Sequence, residues 1–271
     1  MVEQDSLLAT VVRWVRSEEN IRLLVLTGSQ ADPRERDSLS DLDIELYVRD
    51  NRSLLRRVDW YHQFGEVLVV EALRNPGWHP TRLVYYAGGK IDFMIAPAAV
   101  LDRGVRYRGP YRVLVDKDGQ AHRLGTDPDQ SGHPPRASDY ETCVNWFYAA
   151  ALMCAKCLVR REPWAAKYRD WDLKVQLLQM ITWDHKARYG WDYDTRYLGR
   201  RLHNWLDVDL AASLNACWGA FSEESMKAAL LSSVDLFDKL STRTAAALNI
   251  DAFDSSRVRS EIRRVLDLRH R

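Results

Sequence analysis

The chain lacks an excess of charge of either sign: 39 Lys and Arg face 38 Asp and Glu, a formal net charge of +1. A surface so nearly neutral offers no broad field for gripping DNA, RNA or an anionic membrane, so the expected partner is small or local. It lacks a long uninterrupted apolar run as well, with no stretch approaching the roughly 18 to 20 residues needed to span a bilayer. The opening MVEQDSLLATVVRW has early acids and no cleavable apolar core. A cytoplasmic protein without nucleic-acid or membrane partners is therefore expected. Cysteine is scarce, and Cys143, Cys154, Cys157 and Cys217 all lie in apolar, helix-patterned surroundings. Cys154 and Cys157 form a CxxC, but no second Cys pair or His cluster completes a zinc or redox site. All four read as small core residues. No repeat, low-complexity tract or heptad array supports a solenoid or coiled coil.

What is present suits two globular domains: 271 residues, 46% of them hydrophobic. Residues 6–19 carry an apolar face at helical spacing, and residues 21–26 (IRLLVL) are a short apolar run that reads as a buried strand. Residues 42–48 (LDIELYV) alternate as a half-buried strand does, residues 54–64 read as helix, and residues 66–73 and 82–87 read as strands. Gly88-Gly89 signals a hairpin before the strand at 90–95 (KIDFMI), and a last strand at 112–115 runs into the turn at 116–119. Residues 125–135, rich in Pro, Gly and Asp, break all periodicity and set a boundary between domains 1–130 and 131–271. Beyond it, residues 140–161, 173–189, 210–221 and 223–248 show long amphipathic patterns without a convincing strand. The fold class is α+β: a mixed β-sheet with flanking helices, then an all-α helical bundle.

The chemistry concentrates in the first domain. Gly28-Ser29 closes one strand and Asp41-Leu42-Asp43 opens the next, so a small-residue turn and two carboxylates meet at one end of adjacent strands. Strand residues two apart share a face, so Asp41 and Asp43 project together while Leu42 enters the core. Two carboxylates aimed at one point repel unless a cation joins them, and Mg²⁺ is commonly held by one or two carboxylates plus substrate phosphates. Gly28 lets the backbone approach a triphosphate, and the N–H groups and hydroxyl around Ser29, expected at a helix N-terminus, suit the leaving pyrophosphate. Asp92, on a later apolar strand, completes a three-carboxylate site if that strand neighbours the first pair. Such a site binds two metals or takes a proton from an attacking hydroxyl, and the reaction class it suits is nucleotidyl transfer. Asp-x-Asp alone carries little weight, since Asp116/Asp118, Asp127/Asp129, Asp170/Asp172, Asp192/Asp194 and Asp207/Asp209 repeat it. The ordered set of strand, Gly-Ser, polar loop, acid pair and third acid is the signal. The alternative makes Gly28 a loop turn, Asp41 and Asp43 solvated residues, and Asp92 the ion-pair partner of an Arg.

Thr27-Gly28-Ser29 and Asp41-Leu42-Asp43 resemble the signature of the nucleotidyltransferase superfamily. LVLTGSQADPR, DLDIELYV, FGEVLVVEAL, GGKIDFMIAP, VLVDKDG and AKCLVRREPWAAK followed by LLQMITW are similar, in order, to segments of the aminoglycoside 6-adenylyltransferases, which transfer AMP from ATP to a hydroxyl of streptomycin. The resemblance implies a nucleotidyltransferase-type catalytic domain and a helical domain, with Mg²⁺ held by Asp41, Asp43 and Asp92 and Asp92 as the base. It also implies that Lys156 and Lys167 reach the triphosphate, with a solvated helix charge as the alternative for each. The chain departs from the family pattern at Asn145-Trp146-Phe147-Tyr148, where the family carries an acid after the Asn. Streptomycin is polycationic, so Asp139, Glu141, Asp170 or Asp172 would have to supply carboxylates instead. Antibiotic resistance through streptomycin adenylylation by a monomeric enzyme is the leading expectation. Another small-molecule or protein acceptor, or a non-catalytic nucleotide-binding relative, is the alternative.

Overall fold

The computed structural model of the chain describes residues 2–32, 34, 37, 39–128 and 132–268, with side chains from residue 5 onward. It divides into two compact units, Met1–Gln130 and Ser131–Arg271.

In the first unit, the helix α1 (Val2–Ser17) leads into β1 (Ile21–Thr27). A 3₁₀ turn, Gly28–Ala31, and a polar loop follow, and the chain returns as β2 (Leu42–Val48). A short helix α2 (Asn51–Arg56), β3 (Val67–Leu73), β4 (Thr81–Tyr86) and β5 (Gly89–Pro97) come next. The unit ends with β6 (Val105–Tyr107), β7 (Arg112–Asp116) and β8 (Leu124–Thr126). The main sheet has the order β3-β4-β5-β2-β1-β7, and β6 pairs with β8 in a separate two-stranded sheet. β2 and β5 run parallel while the other neighbours in the main sheet are antiparallel, so the sheet is mixed as expected.

Alternation along the strands sorts the side chains onto two faces. Leu24 and Leu26 of β1, Leu42, Ile44 and Leu46 of β2, and Ile91, Phe93 and Ile95 of β5 bury against α1 and an aromatic group in which Trp14 stacks on Trp60 with centroids 5.2 Å apart. The residues between them, Leu23, Val25, Tyr47 and Ala96, join Leu101 and Leu124 in a smaller core on the other face. That second face carries the acids.

The expected helix at 54–64 is α2 instead, capped at its start by Asp50, whose side chain accepts from the Ser53 N–H at 3.1 Å. Trp60 and Phe64 mimic helical spacing, but both belong to the aromatic group around Trp14.

The second unit is helical: α3 (Ala137–Val159), α4 (Pro163–Tyr189), α5 (Leu202–Trp205), α6 (Val208–Ala216), α7 (Glu223–Leu248) and α8 (Ser256–Leu266). α3 corrects one expectation. By length and composition it is apolar enough to cross a bilayer, because Ala, Cys, Leu and Val raise its average even though polar residues interrupt the run. More than half of that stretch is buried, and Phe147 stacks on Phe237 of α7 with centroids 3.6 Å apart. All four cysteines are free and buried. Burial pushes the thiols of Cys143 and Cys154 up to about 12, which makes them inert packing groups.

Candidate active site

The register of the sheet lines up a row of residues across five strands. Thr27 of β1 lies opposite Asp43 of β2, Asp43 opposite Asp92 of β5, Asp92 opposite Leu83 of β4, and Leu83 opposite Glu71 of β3. Paired residues share a face, so Asp43 and Asp92 stand side by side on neighbouring strands. Asp41 lies just before β2, at the same end of the sheet.

Gly28 makes room for this arrangement in two ways. Its φ is +68°, a left-handed conformation that glycine adopts without strain, and a Cβ at this position would stand 2.1 Å from Asp43 Oδ2. The Asp43 carboxylate therefore rests directly on the glycine backbone, and a larger residue here would have to displace it. Ser29 is half-buried in the 3₁₀ turn. The helix expected to begin around Ser29 is this single 3₁₀ turn, which ends after Ala31 where Asp32 takes up extended geometry.

One cation is already present among the acids. Lys90 Nζ lies 3.3 Å from Asp41 Oδ2, 2.9 Å from Asp92 Oδ1 and 3.0 Å from Asp92 Oδ2. The hydrogen bond goes to Oδ2; Oδ1 is buried and, despite the near charge, accepts none. The alternative reading foresaw an ion-pair partner for Asp92, and the partner is this lysine rather than an arginine. Burial raises the Asp92 pKa above the ordinary carboxylate value, the Lys90 hydrogen bond and charge oppose it without cancelling it, and Asp41 and Glu71 add to the rise. Burial works to lower the Lys90 pKa, yet Asp92 and Asp41 outweigh it and raise it.

Further along the same face, Glu45 Oε2 accepts hydrogen bonds from the Tyr47 hydroxyl at 2.8 Å and the Tyr107 hydroxyl at 2.6 Å. Sequence reading missed both Lys90 and Glu45. Each was detectable as a residue two positions from a singled-out aspartate on a strand, on the same face by alternation.

The helical-unit candidates differ in how much charge they have left to offer. Asp139 caps α3 and pairs with Arg136 at 2.9 Å, and Asp172 pairs with Arg169 at 3.1 Å. Asp170 is buried and pairs with Lys174 at 2.6 Å. Glu141 is exposed, has no ion pair among the described residues, and lines a cavity of ≈ 540 Å³ with Tyr140, Val144, Asp251 and Phe253. Lys156 is exposed, and Lys167 donates to the Gly219 carbonyl.

Among the described residues, no group of three or more His, Cys, Asp or Glu side chains is gathered as a ready metal cluster. Lys90 engages two of the three acids, Asp41 and Asp92. The donor set nevertheless fits a hard divalent cation: it is all oxygen, and the buried Oδ1 of Asp92 has no hydrogen bond.

Comparison with known proteins bears on the chain as a whole. The sequence profile described as streptomycin adenylyltransferase matches residues 1–264. The chain is similar to an aminoglycoside 6-adenylyltransferase from Campylobacter jejuni, 22% identical over 250 residues that cover 88% of this chain and 87% of that protein. A solved aminoglycoside 6-adenyltransferase from Bacillus subtilis has a TM-score of 0.50 at 18% identity, covering 97% of this chain and 98% of that one. A nucleotidyltransferase-like protein from Exiguobacterium sibiricum 255-15 has a TM-score of 0.31 at 10% identity, covering 92% and 78%. With a profile match that spans Gly28, the three acids and nearly all of the helical unit, this chain belongs to the streptomycin adenylyltransferase family and is a nucleotidyltransferase.

Proposed function

We propose that this enzyme transfers AMP from ATP to a hydroxyl of an aminoglycoside, streptomycin first among them, in a Mg²⁺-dependent reaction in the cytoplasm, and that it confers resistance by doing so. The observation that carries the reading is the in-register pairing of Asp43 with Asp92 beside Asp41 and Gly28. Asp41, Asp43 and Asp92 would hold the metal, which when bound neutralises triphosphate charge and polarises the reacting phosphate.

The remaining roles belong to the chain itself. Gly28, with no side chain, lets the triphosphate approach the strand end, and the Ser29 hydroxyl donates to the departing pyrophosphate. Asp92 takes the proton from the acceptor hydroxyl as its oxygen bonds to the α-phosphorus and the bond to pyrophosphate breaks. A carboxylate whose pKa burial has raised is a stronger base for that task than a solvated one. Lys156 and Lys167 stay the candidate triphosphate cations that the family resemblance implies; Lys156 is exposed and Lys167 donates to the Gly219 carbonyl. For the polycationic acceptor, Glu141 is favoured over Asp139, Asp170 and Asp172, because each of those three already carries a cationic partner.

A second acceptor class is supported by Trp146, 64% exposed on α3 where the family pattern carries an acid. Its indole suits the flat face of a sugar or aromatic acceptor.

Mass spectrometry of streptomycin after incubation with the protein, ATP and Mg²⁺ tests the reading. An AMP adduct that Asp43→Asn abolishes is expected. Unmodified streptomycin, with an adduct on another acceptor from a mixed panel, would reassign the substrate and keep the chemistry.

A further inference from the structure

Lys90 has no part in the reaction as described, yet among the described residues it is a cation in direct contact with Asp41 and Asp92. It lies two residues before Asp92 on β5, and its side chain is only 17% exposed. Its ammonium meets carboxylates from two parts of the sheet, Asp41 before β2 and Asp92 on β5, and lies 5.4 Å from the ring centroid of Tyr85, its neighbour across β4. Lys90 thus offsets the negative charge of Asp41 and Asp92. A divalent cation that takes up Asp41 and Asp92 needs the same oxygens, and at such distances an ammonium and a metal repel strongly.

We propose that Lys90 is the resident counter-ion of the nucleotide-free site, competing with the divalent cation for Asp41 and Asp92 so that metal enters productively only with a nucleotide. The inference rests on the metal-dependent AMP-transfer reading above. The triphosphate supplies what the bare metal lacks, an anion to receive the displaced ammonium. Lys90 is accordingly a positioning residue that keeps the acids paired between turnovers and makes metal affinity depend on nucleotide.

The test is Mn²⁺ binding to the nucleotide-free protein, read from the electron paramagnetic resonance signal of free Mn²⁺, for the wild type, Lys90→Met, Lys90→Arg and Asp43→Asn. Removing the ammonium charge is expected to tighten Mn²⁺ binding on the order of tenfold, less than bare Coulomb repulsion because solvent screens the site. Lys90→Arg, which keeps the charge, is expected to stay within about twofold of the wild type. An α,β-methylene ATP analogue should tighten Mn²⁺ binding more in the wild type than in Lys90→Met. Equal or weaker Mn²⁺ binding by Lys90→Met overturns the proposal. Should that variant fold poorly without metal, its melting temperature in rising Mn²⁺ gives the same answer: a larger rise than the wild type supports competition, and an equal or smaller rise overturns it. Mn²⁺ binding that Asp43→Asn leaves untouched would instead remove the metal from these acids, and the AMP-transfer reading with it.

Discussion

Two lysine–aspartate groups, one in each unit, use the same chemistry to different ends. In the helical unit, Lys174 and Asp170 sit one turn apart on α4 with side chains 4% and 12% exposed. Lys174 Nζ donates to Asp170 at 2.6 Å and to Ser233 Oγ at 3.1 Å, and it faces the Trp218 ring 5.4 Å away. The lysine's charge is fully engaged. In the sheet unit, Lys90 joins acids that are distant in sequence; Asp41 is 43% exposed, and a buried oxygen of Asp92 accepts no hydrogen bond. A buried pair that is satisfied on every side holds the fold, whereas one with an open flank is free to exchange partners. Asp184, 1% exposed between Arg188 and Arg243, repeats the first pattern and is likewise structural.

The contrast breaks most visibly if the sheet acids prove dispensable. Asp43→Asn is expected to lower AMP transfer by about 1,000-fold or more, the several kcal/mol that a lost metal ligand withdraws. Its melting temperature should stay within about 2 °C of the wild type, since Asp43 is half-buried beside solvent.

The helical pair should behave in the opposite way. Lys174→Met leaves Asp170 buried and uncompensated, and is expected to reduce stability by about 3 to 5 kcal/mol in urea unfolding. Adding Asp170→Leu should restore much of that, and Lys90→Met should cost clearly less than Lys174→Met, because Asp41, 43% exposed, keeps its contact with water. A large loss from Lys90→Met would erase the distinction between the two groups.

Gly28→Ala sharpens the geometry of the sheet site. Its Cβ would collide with Asp43 Oδ2, so the carboxylate must shift, and a displacement of that size is expected to lower kcat by about 100-fold.

The smallest expected effect is a pH dependence from the helical unit. His185 is buried, neither ring nitrogen has a hydrogen-bond partner, and burial lowers its pKa from the ordinary 6.5. As pH falls below about 6.5 the unfolded chain takes up a proton that the folded chain refuses, so stability contributed above 6.5 is lost on acidification toward the lowered folded value. Melting temperatures between about pH 7.5 and pH 5 should fall less steeply in His185→Phe than in the wild type.

These sites differ in how far they could be read from sequence. β1 was legible as a short apolar run ending at the Gly28-Ser29 turn, and β2 and β5 because apolar residues alternate with others along them and an acid stands near the start of each. α7 was legible to its ends because its apolar stripe is unbroken and Ser222 caps it. The first half of α4 was hidden, since Asp170 and Lys174 occupy interior positions where helical periodicity expects apolar residues. α8 was hidden among its arginines, with Ile262, Val265 and Leu266 alone buried. β6 and β8 have three residues each, too few to show a period. Lys90 stood in plain view beside Asp92, but its reach to Asp41 depends on the parallel pairing of β2 with β5, a long-range contact that no local pattern encodes.

The most direct measurement pairs Asp92→Asn with Asp170→Asn, reading pyrophosphate release with ATP and streptomycin alongside the melting temperature of each. Loss of release with a near-native melting temperature in Asp92→Asn, and retained release with a lowered melting temperature in Asp170→Asn, is the expected result. Undiminished release by Asp92→Asn would contradict the assignment of chemistry to the sheet acids.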